Sequence, residues 1–195
     1  MKLLKTRKFA ILITFVVVIV ATFLGVRGSL NRHARDIEAM FYNGVYLEEE
    51  RYTQPGINSH LESSANAALG LATMLDYYPS LADKTEALLS ARRELLGAIS
   101  IDSKIIPNNN MIHAFIELLQ EARSIALTDW DAEVATQHWT TFVNAQECIV
   151  TSQYHDKVAS FRDESNFLAD LICMLMPVRP PEAFDSHYVP EIVFP

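Results

Sequence analysis

The sequence predicts an all-α protein, an N-terminal transmembrane helix followed by an elongated antiparallel four-helix-type bundle. Three observations carry that expectation. An uncharged apolar run lies close to the N-terminus. Apolar residues then recur at helical steps of three and four through most of the remaining chain. Breakers are scarce, with six Gly and eight Pro among 195 residues of which 50% are hydrophobic. After a membrane segment of roughly 20 residues, enough chain remains to bury one ordinary core without disulfides or metal.

The apolar run is Phe9 to Val26, FAILITFVVVIVATFLGV. At about 1.5 Å per residue it spans a hydrocarbon core of roughly 30 Å. Lys2, Lys5, Arg7 and Lys8 precede it with no acidic residue among them. That cluster predicts a cytoplasmic N-terminus and a main domain on the far side of a cell membrane. The run is longer than a signal-peptide core and no A-x-A-like cleavage site follows, so an uncleaved signal-anchor is expected. The expected organisation is a cytoplasmic segment at 1–8, a transmembrane helix at 9–28, a helical bundle at 29–176 and an extended tail at 177–195.

Within the bundle, a first helix is expected from Ser29 to Tyr52, with Ile37, Met40, Phe41 and Val45 on one stripe. Gln54-Pro55-Gly56 marks a turn. A second helix, Asn58 to Tyr78, sets Ile57, Leu61, Ala65, Ala68, Ala72 and Leu75 on a seam small enough for a close neighbour. Pro79 ends it or kinks it into a third, Leu81 to Ala98, with Leu88, Leu89, Leu95 and Leu96 facing inward. Pro107 and three consecutive Asn place a loop at Ile99 to Asn110. A fourth helix, Met111 to Leu127, buries Ile112, Phe115, Leu119, Ala122 and Ala126. Thr128-Asp129-Trp130-Asp131 reads as a helix start, a hydroxyl cap followed by acids at the positive end. The last helix, Trp130 to Met176, contains no Gly or Pro and carries Trp139, Val143, Val150, Tyr154, Val158, Phe161, Leu168, Ile172 and Leu175 at near-helical intervals. In the tail, Phe184, Tyr188, Ile192 and Phe194 are candidates to dock on the bundle.

The stretch Tyr154-His155-Asp156-Lys157-Val158-Ala159-Ser160-Phe161-Arg162 resembles the Y-N-x-x-V-x-x-Y/F-N segment of the LemA family of bacterial membrane proteins. The run Asn166 to Ile172 and the ending Val178-Arg179-Pro180-Pro181-Glu182-Ala183-Phe184 are similar to that family's close. Glu48-Glu49-Glu50-Arg51 and Pro55-Gly56-Ile57-Asn58 stand where the family carries a basic pair followed by I-P-N-L, which marks a divergent branch. The resemblance implies a four-helix bundle on an exported face and supplies no catalytic residues.

Formal charge is −8, and the chain beyond the basic N-terminus is more acidic still. Such a domain repels nucleic-acid phosphates and anionic lipid, so no nucleic-acid partner is expected. The histidines His33, His60, His113, His138, His155 and His187 form neither H-E-x-x-H nor paired Glu-x-x-His, so no metal site is assigned. On a continuous last helix Cys148 and Cys173 stand on the order of 37 Å apart, beyond the reach of a disulfide. Their apolar neighbours predict buried, inert thiols. Asp36, Glu38 and Glu48-Glu49-Glu50 read as a solvated acidic face. No catalytic, cofactor-binding or metal residues are assigned, and no enzyme is expected. The function expected is a membrane-anchored interaction or scaffold module, its partners the bilayer and a protein or a second copy of itself. The alternative is a small-ligand-sensing bundle acting through a membrane partner.

Overall fold

A computed structural model describes residues 7–48, 51–163 and 178–185. It is mostly helical, with one small hairpin: α1 (Arg7–Asn43), β1 (Val45–Leu47), β2 (Tyr52–Gln54), α2 (Ile57–Leu75), α3 (Ala82–Gly97), α4 (Ile105–Ser124), α5 (Asp129–Val150) and α6 (Gln153–Asp163). The described residues fall into two compact units. One lies within Met1–Glu38 and Lys157–Pro181, the other within Ala39–Asp156 and Glu182–Pro195.

The first unit contains most of α1. Its apolar window is long enough to cross a membrane, and none of that window is buried. Thr14 and Thr22 return their hydroxyls to the carbonyls of Ala10 and Val18, so neither presents an unsatisfied donor on this surface. Beyond the apolar run Ala34 and Ile37 are buried, as is Val158. There His33 stacks on Phe161, ring centroids 5.6 Å apart.

The second unit holds the main core. On α2 every residue of the expected seam is buried, and Leu71 joins it. Pairings along α2 and α5 show that the two run antiparallel. Tyr78 donates to Asp131 at 2.6 Å just beyond one end, Gln146 donates to Ser64 farther along, and the Gln153 amide donates to Gln54 at the other end. Pro79 opens a 3-10 turn, Pro79–Leu81, and α3 returns along α2, where Arg92 Nε donates to the Ala65 carbonyl at 2.9 Å. Helix α4 reverses again, and Lys84 pairs with Glu117 across it at 2.8 Å. Phe115 and Phe142 stack with centroids 4.1 Å apart, beside Trp139. Fully burying aromatic or aliphatic side chains of this size contributes about 1.5–3 kcal/mol each.

Several expectations are corrected. The first helix stops at Asn43 rather than Tyr52. Gly44, at φ +87°, accepts the left-handed terminus and bonds back to the Met40 carbonyl. An antiparallel hairpin follows, so the fold is not purely helical. Ile99–Asn110 is not a loop throughout: α4 begins at Ile105 and holds Pro107 in its first turn, where a missing N–H costs nothing. The last helix is not continuous. Thr151 and Ser152 separate α5 from α6, their amides turning back to Glu147 and Ile149, while Ser152 Oγ accepts from the Tyr154 amide. Such hydroxyls compete for backbone groups and end a helix without Gly or Pro. Val150, expected on the buried stripe, is exposed because the phase of α5 buries Ile149 instead, and beyond the break Tyr154 is buried. Leu96 and Ala126 are likewise exposed. Leu168, Ile172, Leu175 and the remainder of the expected helix to Met176 lie outside the described residues.

In the tail, Phe184 is buried as expected, its ring 5.5 Å from Phe41. Tyr154 donates its hydroxyl to the Glu182 carbonyl, and the Glu182 carboxylate accepts from the Asp102 amide at 3.1 Å. Tyr188, Ile192 and Phe194 lie outside the described residues.

Candidate functional site

The second unit carries a polar groove between α2 and α5, about 480 Å³ in volume. Helix α2 supplies Ser59, Glu62, Ser63, Asn66 and Ala67; α5 supplies His138 and Thr141. The α2 polar residues recur at steps of three and four, so they form a stripe beside the buried seam. The two α5 residues are three apart and face the same way.

Two side chains are held in place by their neighbours. Gly70 lies one turn beyond Asn66, and a Cβ there would fall 2.2 Å from His138 Cε1. The imidazole therefore lies directly against the α2 backbone. Burial lowers the His138 pKa from its ordinary value, which favours the neutral ring. Glu62 is held by Asn58, whose Nδ2 donates to Oε1 at 2.7 Å. Thr141 donates its hydroxyl proton to the Gln137 carbonyl at 3.0 Å, leaving oxygen lone pairs as acceptors.

Deeper in the unit, Ser64, Asn108 and Gln146 join three helices through a buried polar network. Gln146 Nε2 donates to Ser64 Oγ and to Asn108 Oδ1, both at 3.1 Å, and Asn108 Nδ2 donates back to Gln146 Oε1 at 3.3 Å. Ser64 passes its proton to the His60 carbonyl. Buried amides matched in this way fix one alignment of α2, α4 and α5, because a shift would strand each of them. Lys104 is also buried; burial lowers its pKa, opposed by the charge of Glu62.

A second concavity, about 570 Å³, lies where α4 hands over to α5. Leu119, Ala122, Ile125 and Ala135 line it with apolar surface, and Arg123 and Glu133 add charge.

The described histidines each have their own surroundings. His33 stacks on Phe161, His113 is exposed on α4, and His155 Nε2 lies 2.8 Å from the Ile149 carbonyl. His60 is half-buried with its pKa lowered by burial. His187 lies outside the described residues. Among the described residues no group of three or more His, Cys, Asp or Glu is arranged to hold a metal ion. Cys148 corrects the expectation of a buried thiol: it is free and exposed, because α5 turns positions 147 and 148 outward between buried Gln146 and Ile149. Cys173 lies outside the described residues. Of the acidic face, Asp36 and Glu38 belong to the first unit and Glu48 to the second, while Glu49 and Glu50 lie outside the described residues.

Apart from His138, weighed only as a metal ligand, the groove residues were not among those the sequence pointed to. Their signal was present in the polar steps from Ser59 to Asn66 and in an isolated Gly within a helical pattern, a mark of close approach. Family models, curated proteins and solved structures were all compared with the chain, and none matches.

Proposed function

We propose that this chain is a membrane-anchored, non-enzymatic interaction or scaffold protein of LemA-like type. In this reading residues 9–28 cross a cell membrane once and residues 1–8 remain in the cytoplasm. Helices α2 to α5 form an elongated antiparallel four-helix bundle on the outer side. The observation that carries the reading is the apolar window of α1, none of which is buried. Water does not tolerate such a surface on a folded monomer, whereas a bilayer solvates it. Recruitment of a protein partner is supported by Tyr77 and Trp130, 89% and 70% exposed, at the end of the second unit where Tyr78 meets Asp131. Large aromatics left in solvent are the side chains that most often anchor protein contacts.

The test is in-cell cross-linking of the tagged full-length protein, with mass spectrometry of what is captured. The reading expects one or two reproducible membrane or exported partners, or a second copy, cross-linked near Tyr77 and Trp130. Recovery of the chain in the soluble fraction without any cross-linked species contradicts it.

The polar groove favours a second reading, a solute-binding helical domain that signals through a membrane partner. Its lining brings hydrogen-bonding side chains from two helices to one concavity, a starting point for a small-molecule site.

A further inference from the structure

We infer that Glu182-Ala183-Phe184 is a latch, seated in the second unit as an intramolecular ligand, and that its seat takes the same Glu-x-Phe chemistry from another protein chain when the latch withdraws. The site is separate from Tyr77 and Trp130 and stands whether or not that surface recruits a partner.

The seat is built from three places in the chain. Phe41 comes from the last turn of α1, Tyr154 from the first turn of α6, and the Asp102 amide from the 3-10 turn that precedes α4. All three belong to the second unit, as do residues 182–184. The rings of the seat meet without the latch: Phe41 lies edge-on to Tyr154, centroids 5.7 Å apart, and edge-on to Tyr42 at 5.1 Å. The latch then covers them. Phe184 is buried with its ring 5.5 Å from Phe41, the Tyr154 hydroxyl donates to the Glu182 carbonyl, and the Asp102 amide donates to Glu182 Oε2 at 3.1 Å. Residues 178–185 belong to no helix or strand. Segments held without such a ladder open ahead of a packed core.

Withdrawal leaves a definite demand. The Tyr154 hydroxyl and the Asp102 amide each lose an acceptor, and Phe41 loses an aromatic neighbour. Any peptide supplies a carbonyl, so the carboxylate and the ring are what select the occupant. Glu followed two residues on by Phe brings both from one short stretch, and the bond from amide to carboxylate is charge-assisted. A basic side chain in place of Glu would offer donors to a donor and leave the Asp102 amide unpaired.

The experiment uses full-length protein in lipid nanodiscs and a fluorescein-labelled peptide of residues 180–185, Pro-Pro-Glu-Ala-Phe-Asp, followed by fluorescence anisotropy. Phe184→Ala, which empties the seat, is expected to bind it saturably and at least tenfold more tightly than wild type, whose own latch competes. Glu182→Lys keeps the ring and loosens the latch, so it too should bind more tightly than wild type. Peptides carrying Phe184→Ala or Glu182→Lys are expected to bind the emptied seat at least tenfold more weakly. The Phe184→Ala protein is also expected to keep one cooperative melt, because the α2 to α5 core is packed through Phe115, Trp139 and Phe142. Equal affinity of wild type and Phe184→Ala, or no binding to either, overturns the inference. Equal binding of the substituted peptides does so as well, since the site would then read neither Glu nor Phe. No gain from Glu182→Lys removes the Asp102 bond from the latch and counts against it in the same way. Loss of the cooperative melt in Phe184→Ala makes the segment core instead of latch, which also overturns it.

Discussion

In α2, Ile57, Leu61, Leu71 and Leu75 are completely hidden, whereas in α1 Ile11, Phe15, Val17 and Leu24 are each more than half exposed. The two helices draw on the same kinds of side chain. What differs is their arrangement: α2 gathers its apolar residues on a stripe and leaves Ser59, Glu62 and Asn66 beside it, while α1 is apolar all round from Phe9 to Val26. A stripe is satisfied by neighbouring helices, which α3 and α5 supply. An apolar cylinder has no polar face to turn outward, and by length and composition this one is able to cross a membrane. The contrast lies in the pattern of the side chains more than in their identity.

Substitutions in the two helical regions should therefore fail differently. The largest expected effect is in the packed unit. Phe142→Ala removes a ring that is stacked on Phe115 and fully buried, and should cost about 3–5 kcal/mol in chemical denaturation. Val17→Arg is exposed in α1, and on a water-facing helix it would be nearly neutral. In a membrane span it should oppose insertion by about 2.5–3.5 kcal/mol. Release of Val17→Arg protein from membranes by alkaline carbonate, with wild type retained, is the expected readout.

Smaller effects sharpen the comparison. Thr128 accepts from the Asp131 amide at 3.1 Å and so caps α5. Thr128→Ala should lower the stability of the packed unit by about 1 kcal/mol and leave membrane retention unchanged. The smallest effect is pH dependence. His60 and His138 are favoured in the neutral form by burial, so their folded pKa values lie below the ordinary 6.5. Their contribution is present above pH 6.5 and is lost as pH falls through the folded values. Thermal melts should show that decline, and the double variant His60→Gln with His138→Gln should flatten it.

The α2 seam was readable because six small or aliphatic residues keep a helical period over five turns, and neighbouring packing had only to agree with it. The start of α5 was readable because Thr128 chemistry is local: the hydroxyl reaches an amide three residues on. Pro107 misled because proline reads as a breaker from sequence, whereas in the first turn of α4 it is compatible with the helix. Asn108, which looked like loop composition, is buried against Gln146, a partner far along the chain. The break at Thr151 and Ser152 carries no Gly or Pro, and hydroxyls end a helix only where the surrounding fold rewards the turn. The hairpin escaped notice because its two strands are three residues each, too short for alternation to outweigh the helical period. The groove escaped because polar positions beside a seam look like ordinary solvated surface until α5 is laid against them.

The most direct test of the central claim uses the exposed thiol of Cys148. With Cys173 replaced by Ser, a membrane-impermeant maleimide is applied to spheroplasts expressing the full-length protein, and the washed membranes are analysed. The account predicts that Cys148 is labelled before lysis as completely as after it, with the labelled chain retained in the membrane fraction. Labelling that occurs only after lysis, or a labelled chain found free of membranes, would contradict it.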